Sequence, residues 1–167
     1  SYGHGITTTP IQLAKGYAIL TNGGYDVKPT LIKEKFSSLE KKKILNKGVS
    51  DQINKILRKV VTHGTATLSD VEGYEVGGKT GTAQIVENGA YTNKKINTFA
   101  SVFPSSNPKY VLVILLEDTK LSKNYVYKYR NKPGSYKGTP FNTAGWTSVE
   151  ITGKILDKIG PILATKY

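Results

Sequence analysis

The spacing of apolar positions predicts two amphipathic helices in the first 64 residues. The first begins at Thr9-Pro10-Ile11-Gln12, because Thr9 can cap, Pro10 suits the first helical position and Gln12 completes a capping box. Asn22-Gly23-Gly24 predicts its end. Its apolar residues share one face: Ile11, Ala14, Tyr17 and Ala18.

A Lys-rich connector over residues 33–49 leads to a second predicted helix, which starts near Ser50 and ends around His63-Gly64. This helix carries an apolar stripe that we interpret as core packing. The stripe comprises Ile53, Ile56, Leu57, Val60 and Val61.

From Tyr74 the pattern changes to that of strands. Gly77 to Val86 predicts a strand, and Glu87-Asn88-Gly89-Ala90 carries an Asn-Gly hairpin signal, after which a strand can resume through Tyr91. Two further strands are predicted over 97–104 and 109–117. Three consecutive strands with short links favour an antiparallel meander.

The C-terminal part begins with a polar stretch, Asp118 to Pro140, which the pattern leaves open between a small hairpin arm and an irregular loop. Helical character resumes at Thr143, and Gly160-Pro161 should end or kink that helix. Four of its residues can face a sheet: Val149, Ile155, Leu156 and Ile159.

Composition narrows the class of protein. The chain has 167 residues, of which 38% are hydrophobic and 22% charged, as in one soluble globular domain. It opens at Ser1 without any Met, so we interpret it as a piece of a longer protein. No segment is long enough to span a membrane. The absence of Cys excludes disulfides and thiolate metal sites, the two His are far apart, and no metal or other cofactor is implied.

The formal charge of +12 has two interpretations. A solvated surface that became Lys-rich by sequence drift explains this charge without any function. Attraction to nucleic acid, anionic lipid or an acidic wall polymer is the alternative. Charge alone carries no specificity, and no nucleic-acid partner is predicted.

The chemical centre is Gly77-Gly78-Lys79-Thr80-Gly81-Thr82-Ala83, which admits two hypotheses. Gly73, four residues and then Gly78-Lys79-Thr80 match the phosphate-loop pattern of nucleotide hydrolases, and Glu117-Asp118 after an apolar run could hold magnesium. A phosphate loop must leave a buried strand and enter a helix. The residues before Gly73 make a poor strand, and the Asn88-Gly89 turn leaves little room for a helix.

The second hypothesis is the Lys-Thr-Gly strand of penicillin-recognising serine enzymes, which this motif resembles. A Lys ammonium beside a reactive serine assists proton transfer and carboxylate binding. Threonine hydroxyls on an edge strand can bond a peptide carboxylate. The glycine lets substrate lie close to the backbone, where N–H groups can stabilise an oxyanion.

The flanking sequence strengthens this resemblance. The chain is similar to the class B, division-specific penicillin-binding transpeptidases. The similarity runs in order from Ser1 to about Glu117 and returns weakly at Thr143-Ala144-Gly145-Trp146. The family pattern does not explain residues 118–140. The matching segments are Tyr2-Gly3-His4-Gly5-Ile6, Thr9-Pro10-Ile11-Gln12-Leu13-Ala14, Tyr17-Ala18, His63-Gly64-Thr65-Ala66, Lys79-Thr80-Gly81-Thr82-Ala83-Gln84 and Phe99-Ala100-Ser101-Val102-Phe103-Pro104.

The resemblance implies an α+β fold, an antiparallel sheet with helices packed on its faces. Residues 1–167 would form the C-terminal half of one transpeptidase domain, with 118–140 as a loop or hairpin insertion. Lys79, Thr80, Gly81 and Thr82 would line the active site. Lys79 would lie near the catalytic serine, Thr80 and Thr82 would bind the terminal carboxylate, and the Thr82 N–H would join the oxyanion hole.

The family's Ser-x-x-Lys nucleophile and Ser-x-Asn motif should both precede the Lys-Thr-Gly strand, and neither is predicted in this chain. Short matches lie in the wrong order or in a polar connector: Ser38-Leu39-Glu40-Lys41, Ser106-Asn107-Pro108-Lys109, Ser105-Ser106-Asn107 and Ser122-Lys123-Asn124. His4 occupies a glycine-rich turn to which the family pattern gives a structural role, not that of a base.

As a member of this family, the intact protein would cross-link peptidoglycan stem peptides through a serine acyl-enzyme and react with β-lactam antibiotics. It would work with the cell-division machinery at the outer face of the cytoplasmic membrane, held by an N-terminal anchor. Alternatives are a non-catalytic wall-binding relative, a β-lactamase or D,D-carboxypeptidase, and, most remotely, the nucleotide hydrolase.

Overall fold

The computed structural model describes residues 7–32 and 42–166. The described residues form three α-helices, a three-stranded antiparallel sheet and a two-stranded one, which confirms the predicted α+β class. The elements in chain order are α1 Pro10–Thr21, α2 Lys47–Thr62, β1 Gly77–Glu87, β2 Ala90–Phe103, β3 Tyr110–Glu117, β4 Val126–Lys128, β5 Ser135–Lys137 and α3 Ser148–Ala164.

Helix α1 begins as predicted. The Thr9 side chain accepts a hydrogen bond from the Gln12 backbone N–H, the Gln12 side chain accepts one from the Thr9 N–H, and Pro10 occupies the first turn. After the helix, Asn22 turns the chain by accepting bonds at its side-chain oxygen from Gly24 and Tyr25. The capping box therefore forms as the sequence predicts.

Helix α2 begins earlier than predicted, at Lys47, because Asn46 is the cap: its side chain accepts from the Gly48 N–H. Ser50, predicted to start the helix, is instead buried and donates to the Leu20 carbonyl. The predicted stripe is also wrong in part, since Ile56 is exposed. The buried face of α2 comprises Ser50, Asn54, Leu57 and Val61.

Strands β1, β2 and β3 form the predicted meander. Asn88 and Gly89 both have positive φ at the β1–β2 turn, the conformation that favours Asn-Gly in tight hairpins. The predicted strand ending at Tyr91 and the one starting at Asn97 are a single 14-residue strand. Its second half is buried against the core, whereas the hairpin tip is exposed.

The stretch 118–140 contains the hairpin β4–β5, so the hairpin alternative is the one that forms. Tyr127 of β4 is buried and its ring lies edge-on to Trp146, with ring centroids 5.1 Å apart. Arg130, just beyond β4, bonds the Leu68 carbonyl and the Glu150 carboxylate. The hairpin is thereby packed against α3 and the turn after α2.

Helix α3 continues past Gly160-Pro161 to Ala164, so the predicted end at this site is wrong, and the alternative of a kink stays a prediction. Pro161 is exposed, and so is Asp157, whose carbonyl would accept from the N–H that a proline at position 161 lacks. Val149 and Leu156 are buried as predicted, but Ile159 is exposed.

Helices α1 and α3 contact β2 and β3, and α2 contacts β1. Within the described ranges, none of the helices is long and apolar enough to cross a bilayer. In the described part of the chain β1 is an edge strand of the three-stranded sheet, and it carries the candidate site. The core between these elements comprises Val61, Ala66, Leu68, Val71, Val76, Phe99, Phe103, Tyr127, Val149 and Leu156.

Candidate active site

The candidate site lies where β1 leaves the core. Gly77 and Gly78 are buried, and a side chain at Gly78 would come within 2.6 Å of both the Ala100 carbonyl and the Phe99 ring. Only glycine fits at this contact. The next residue, Lys79, is already exposed, so the strand passes from the core to the surface in one step.

Lys79 presents its ammonium group on this surface. Its Nζ donates to the Thr80 carbonyl at 2.7 Å and makes no ion pair with a described residue. The positive charge is thus held beside the strand and is available to an anionic group or to a nearby nucleophile. This is where the sequence hypothesis placed the cation of the site.

Thr80 is tied to the loop that follows α2. Its Oγ1 lies 2.8 Å from Thr65 Oγ1, and either hydroxyl can donate. The loop is fixed because Ala66 is fully buried and its N–H donates to the Val60 carbonyl. The Gly64-Thr65-Ala66 segment singled out in the sequence therefore contacts the Lys-Thr-Gly strand directly.

Gly81 lies opposite Thr98 on β2 and is exposed. A Cβ built on Gly81 would find no described atom outside its chain neighbours closer than 3.9 Å. The surface above Gly81 therefore has room for a ligand lying against the backbone.

Thr82 is joined to Ala144 of the weakly matching 143–146 segment and to Asn97, which the sequence did not single out. Its hydroxyl donates to Asn97 Oδ1 at 3.2 Å and accepts from the Ala144 N–H at 3.0 Å. Asn97 is fully buried, and its Nδ2 donates to Asn142 Oδ1 at 2.7 Å. No local sequence signal predicted this contact, because Thr98 and Ser101 are polar residues of the same half-strand.

The remaining candidates are not brought to this site by any described contact. Ser106 bonds the Glu75 carboxylate, and Ser122 accepts at its hydroxyl from the Asn124 N–H. His4, the segment 2–6 and the Ser38–Lys41 match lie outside the described residues. The described ranges also contain no group of three or more His, Asp or Glu placed to hold a metal.

The phosphate-loop alternative lacks the structure it needs. Gly78-Lys79-Thr80 lies inside β1, which continues as a strand to Glu87, so no helix N-terminus follows the lysine. The apolar run before Glu117 is β3, at the opposite edge of the sheet from β1. The match to the nucleotide-hydrolase pattern is accidental.

Comparison with known proteins gives the family. Residues 1–136 match the model of the penicillin binding protein transpeptidase domain. The chain is 36% identical over 132 residues to stage V sporulation protein D of Bacillus subtilis, covering 72% of this chain and 20% of that protein. It is 32% identical over 149 residues to a peptidoglycan D,D-transpeptidase FtsI homolog of Mesostigma viride, covering 75% of this chain and 25% of that protein.

Solved structures agree with this assignment. The transpeptidase domain of a D,D-transpeptidase from Legionella pneumophila matches 90% of this chain and 46% of its own, with 27% identity and a TM-score of 0.64. The corresponding domain of penicillin-binding protein 3 from Burkholderia pseudomallei matches 96% and 44%, with 22% identity and a TM-score of 0.73, a likeness of fold.

The chain thus spans a quarter or less of the two curated relatives described and under half of the two solved domains. The family match and these relatives identify it: the chain belongs to the penicillin-binding protein transpeptidase domain family.

Proposed function

We propose that this chain is part of a serine-type peptidoglycan D,D-transpeptidase. In the proposed reaction a serine outside this chain attacks the peptide bond between two terminal D-alanines. D-alanine leaves with a proton, and an amine of a neighbouring stem peptide then takes the acyl group and releases the serine. A β-lactam acylates the same serine when its ring amide opens.

The observation that carries this proposal is the geometry of β1. An exposed ammonium at Lys79 is followed by a hydroxyl at Thr80 and an exposed glycine at Gly81, all on a strand whose outer edge no described residue pairs with. An extended peptide can lie along such an edge by main-chain hydrogen bonds.

The residues of β1 then have separate roles. Lys79 lowers the cost of deprotonating the serine and attracts the peptide carboxylate. Thr80 donates to that carboxylate. The Thr82 N–H stabilises the oxyanion of the tetrahedral intermediate.

The chain carries the substrate-binding strand and not the nucleophile, so we propose that it is inactive alone. The intact protein would be anchored by an N-terminal segment at the outer face of the cytoplasmic membrane. Its partners would be stem peptides and, as the FtsI names of several relatives suggest, the division machinery.

The test is covalent labelling of the intact protein with a fluorescent penicillin, comparing wild type, Lys79→Ala and Lys94→Ala. Lys94 is the matched control, because it lies on the same hairpin and pairs with Glu87 away from the site. Lys79→Ala should lower the labelling rate at least about a hundredfold, and Lys94→Ala should not change it.

Each other result has a definite meaning. Undiminished labelling of Lys79→Ala would show that the role given to Lys79 is wrong. An unlabelled wild-type protein would show a non-catalytic wall-binding relative. Rapid release of hydrolysed penicillin, in place of a persistent adduct, would show a β-lactamase.

A further inference from the structure

The dipeptide Asn-Gly occurs twice in this chain, as Asn22-Gly23 and as Asn88-Gly89. In such a pair the backbone nitrogen of the glycine can attack the asparagine side-chain amide, and glycine obstructs this attack least because it has no Cβ. Both asparagines are exposed, so access of water does not distinguish them. The hydrogen bonds around the two sites differ, and this difference decides which of them can react.

Asn22, at the end of α1, is held by its neighbours. Its Oδ1 accepts hydrogen bonds from the Gly24 N–H at 3.1 Å and the Tyr25 N–H at 2.8 Å, and its Nδ2 donates to the Tyr25 carbonyl at 2.9 Å. The Gly23 N–H, whose nitrogen would attack, donates to Ser50 Oγ at 3.0 Å. Both reacting groups are therefore fixed in a network that must break before they can meet.

Asn88 lies at the tip of the β1–β2 hairpin, where its φ is 52° and that of Gly89 is 78°. No residue in the described ranges makes a hydrogen bond with the Asn88 side chain or with the Gly89 N–H. Every residue from Val86 to Tyr91 is exposed, so the tip can open without taking any side chain out of the core. The reacting groups at this second site are not restrained as those at Asn22 are.

The pairing of the strands isolates the tip from the rest of the hairpin. The register of β1 against β2 shifts between Gln84 and Val86, and a shift of this kind interrupts the ladder of hydrogen bonds. Two cross-strand pairs lie beyond it, Val86 with Tyr91 and Glu87 with Ala90. Opening of the tip therefore need not disturb the part of β1 that carries the candidate site.

We propose that Asn88 is a site of spontaneous deamidation and that the folded protein protects Asn22 from the same reaction. The Gly89 nitrogen bonds to Asn88 Cγ, the bond from Cγ to Nδ2 breaks, and ammonia leaves with the proton of the Gly89 N–H. Water then opens the succinimide ring that has formed. Its attack at one ring carbonyl gives aspartate, and its attack at the other gives isoaspartate, in which the main chain passes through the former side chain.

The reaction changes both the charge and the length of the tip. A new carboxylate appears next to Glu87, whose own charge is paired with Lys94. Isoaspartate also adds a methylene to the main chain, and the turn then loses the two-residue geometry that matches the twist of the strands. We expect the two pairs beyond the register shift to be lost in the isoaspartate form, and the pairing from Gly77 to Gln84 to remain.

The experiment incubates the intact protein at mildly alkaline pH, which favours removal of the glycine N–H proton. Both Asn-Gly peptides are followed by mass spectrometry after aspartate and isoaspartate forms are separated. In the folded protein both products should accumulate at Asn88, and the rate at Asn22 should be lower by more than about tenfold, because several hydrogen bonds must break first. In urea the two rates should agree within about threefold, because the network around Asn22 is gone.

Gly89→Ala is the matched variant, and it is measured in urea, where its effect on the turn does not matter. The added Cβ crowds the attacking nitrogen, so the rate at Asn88 should fall about tenfold while the rate at Asn22 stays unchanged. None of these measurements uses penicillin labelling, so the inference stands or falls separately from the proposed function.

Three results would overturn the inference. Equal rates at Asn22 and Asn88 in the folded protein would show that the network around Asn22 gives no protection. An Asn88 that reacts in urea but not in the folded protein would show that the hairpin tip stays closed. Aspartate without any isoaspartate would show direct hydrolysis of the side chain in place of ring formation.

Discussion

The guanidinium of Arg130 lies 2.8 Å from the carboxylate of Glu150, and the two side chains are only 13% and 6% exposed. Arg130 also pairs with Asp157 at 2.9 Å and donates to the Leu68 carbonyl. One side chain from the segment after β4 thus reaches α3 twice and the turn after α2 once. This cluster fastens the 118–140 segment to the rest of the domain.

Arg130→Met should therefore be strongly destabilising. Removal of the cation leaves the Glu150 carboxylate buried without its partner, a change that costs about 3–5 kcal/mol. Urea unfolding of the intact protein measures it. The control is Lys94→Met, which breaks the half-exposed pair with Glu87 and should cost less than about 1 kcal/mol. Equal losses in the two variants would show that Arg130 is not a buried clamp.

Two helical glycines should respond to alanine with opposite signs. A Cβ at Gly16 of α1 meets nothing within 4 Å, so Gly16→Ala should stabilise the protein by about 0.5–1 kcal/mol. A Cβ at Gly153 of α3 would lie 2.6 Å from the Leu68 carbonyl, and Gly153→Ala should destabilise it. Thermal unfolding distinguishes them. A stabilising Gly153→Ala would mean that α3 can move away from Leu68.

Thr119 has a buried hydroxyl with no hydrogen-bond partner among residues 7–32 and 42–166. Its carbonyl, by contrast, accepts a hydrogen bond from Asn142 Nδ2 at 2.8 Å. Thr119→Val removes the hydroxyl and keeps the shape, so it should raise the free energy of unfolding by about 1 kcal/mol. Denaturant titration checks this. A loss of stability would reveal that the hydroxyl has a partner, for example a water molecule.

Alkaline pH should weaken the fold through its tyrosines. Burial raises the pKa of Tyr17, Tyr125 and Tyr127 above the ordinary value of 10.0. Below that pH the folded and unfolded chains hold these protons equally. Above it the unfolded chain loses them first, so stability falls as the pH rises through the folded pKa values. Tyr127→Phe should make the fall shallower in unfolding measured across this range, and an unchanged fall would exclude Tyr127.

Short-range signals predicted much of this fold correctly. Two of these signals are the capping box at Thr9 and Gln12 and the Asn88-Gly89 turn. Each is determined by at most four neighbouring residues, so the local sequence is enough to predict it. The prediction of where α2 starts was wrong for the opposite reason. Ser50 has the chemistry of a cap, but its hydroxyl is used in a contact with Leu20, thirty residues away.

The same distinction separates the parts of the candidate site. Lys79, Thr80 and Gly81 are adjacent, and their pattern predicts a site before any folding is considered. Asn97 and Asn142 meet across 45 residues, and nothing local marks either of them. Such a pair becomes visible only when β2 and the 118–142 segment are placed side by side.

Asn97 donates to Asn142, which in turn donates to the main-chain oxygen of Thr119, and this affects how the sequence can vary. A substitution at position 119 changes the side chain but cannot delete the carbonyl. The side chain at this position can therefore vary while the carbonyl remains the acceptor of the bond from Asn142. The two asparagines have no such freedom. A change of side chain at residue 119 would therefore keep this bond, whereas a single amide-to-acid change at residue 142 would remove its donor.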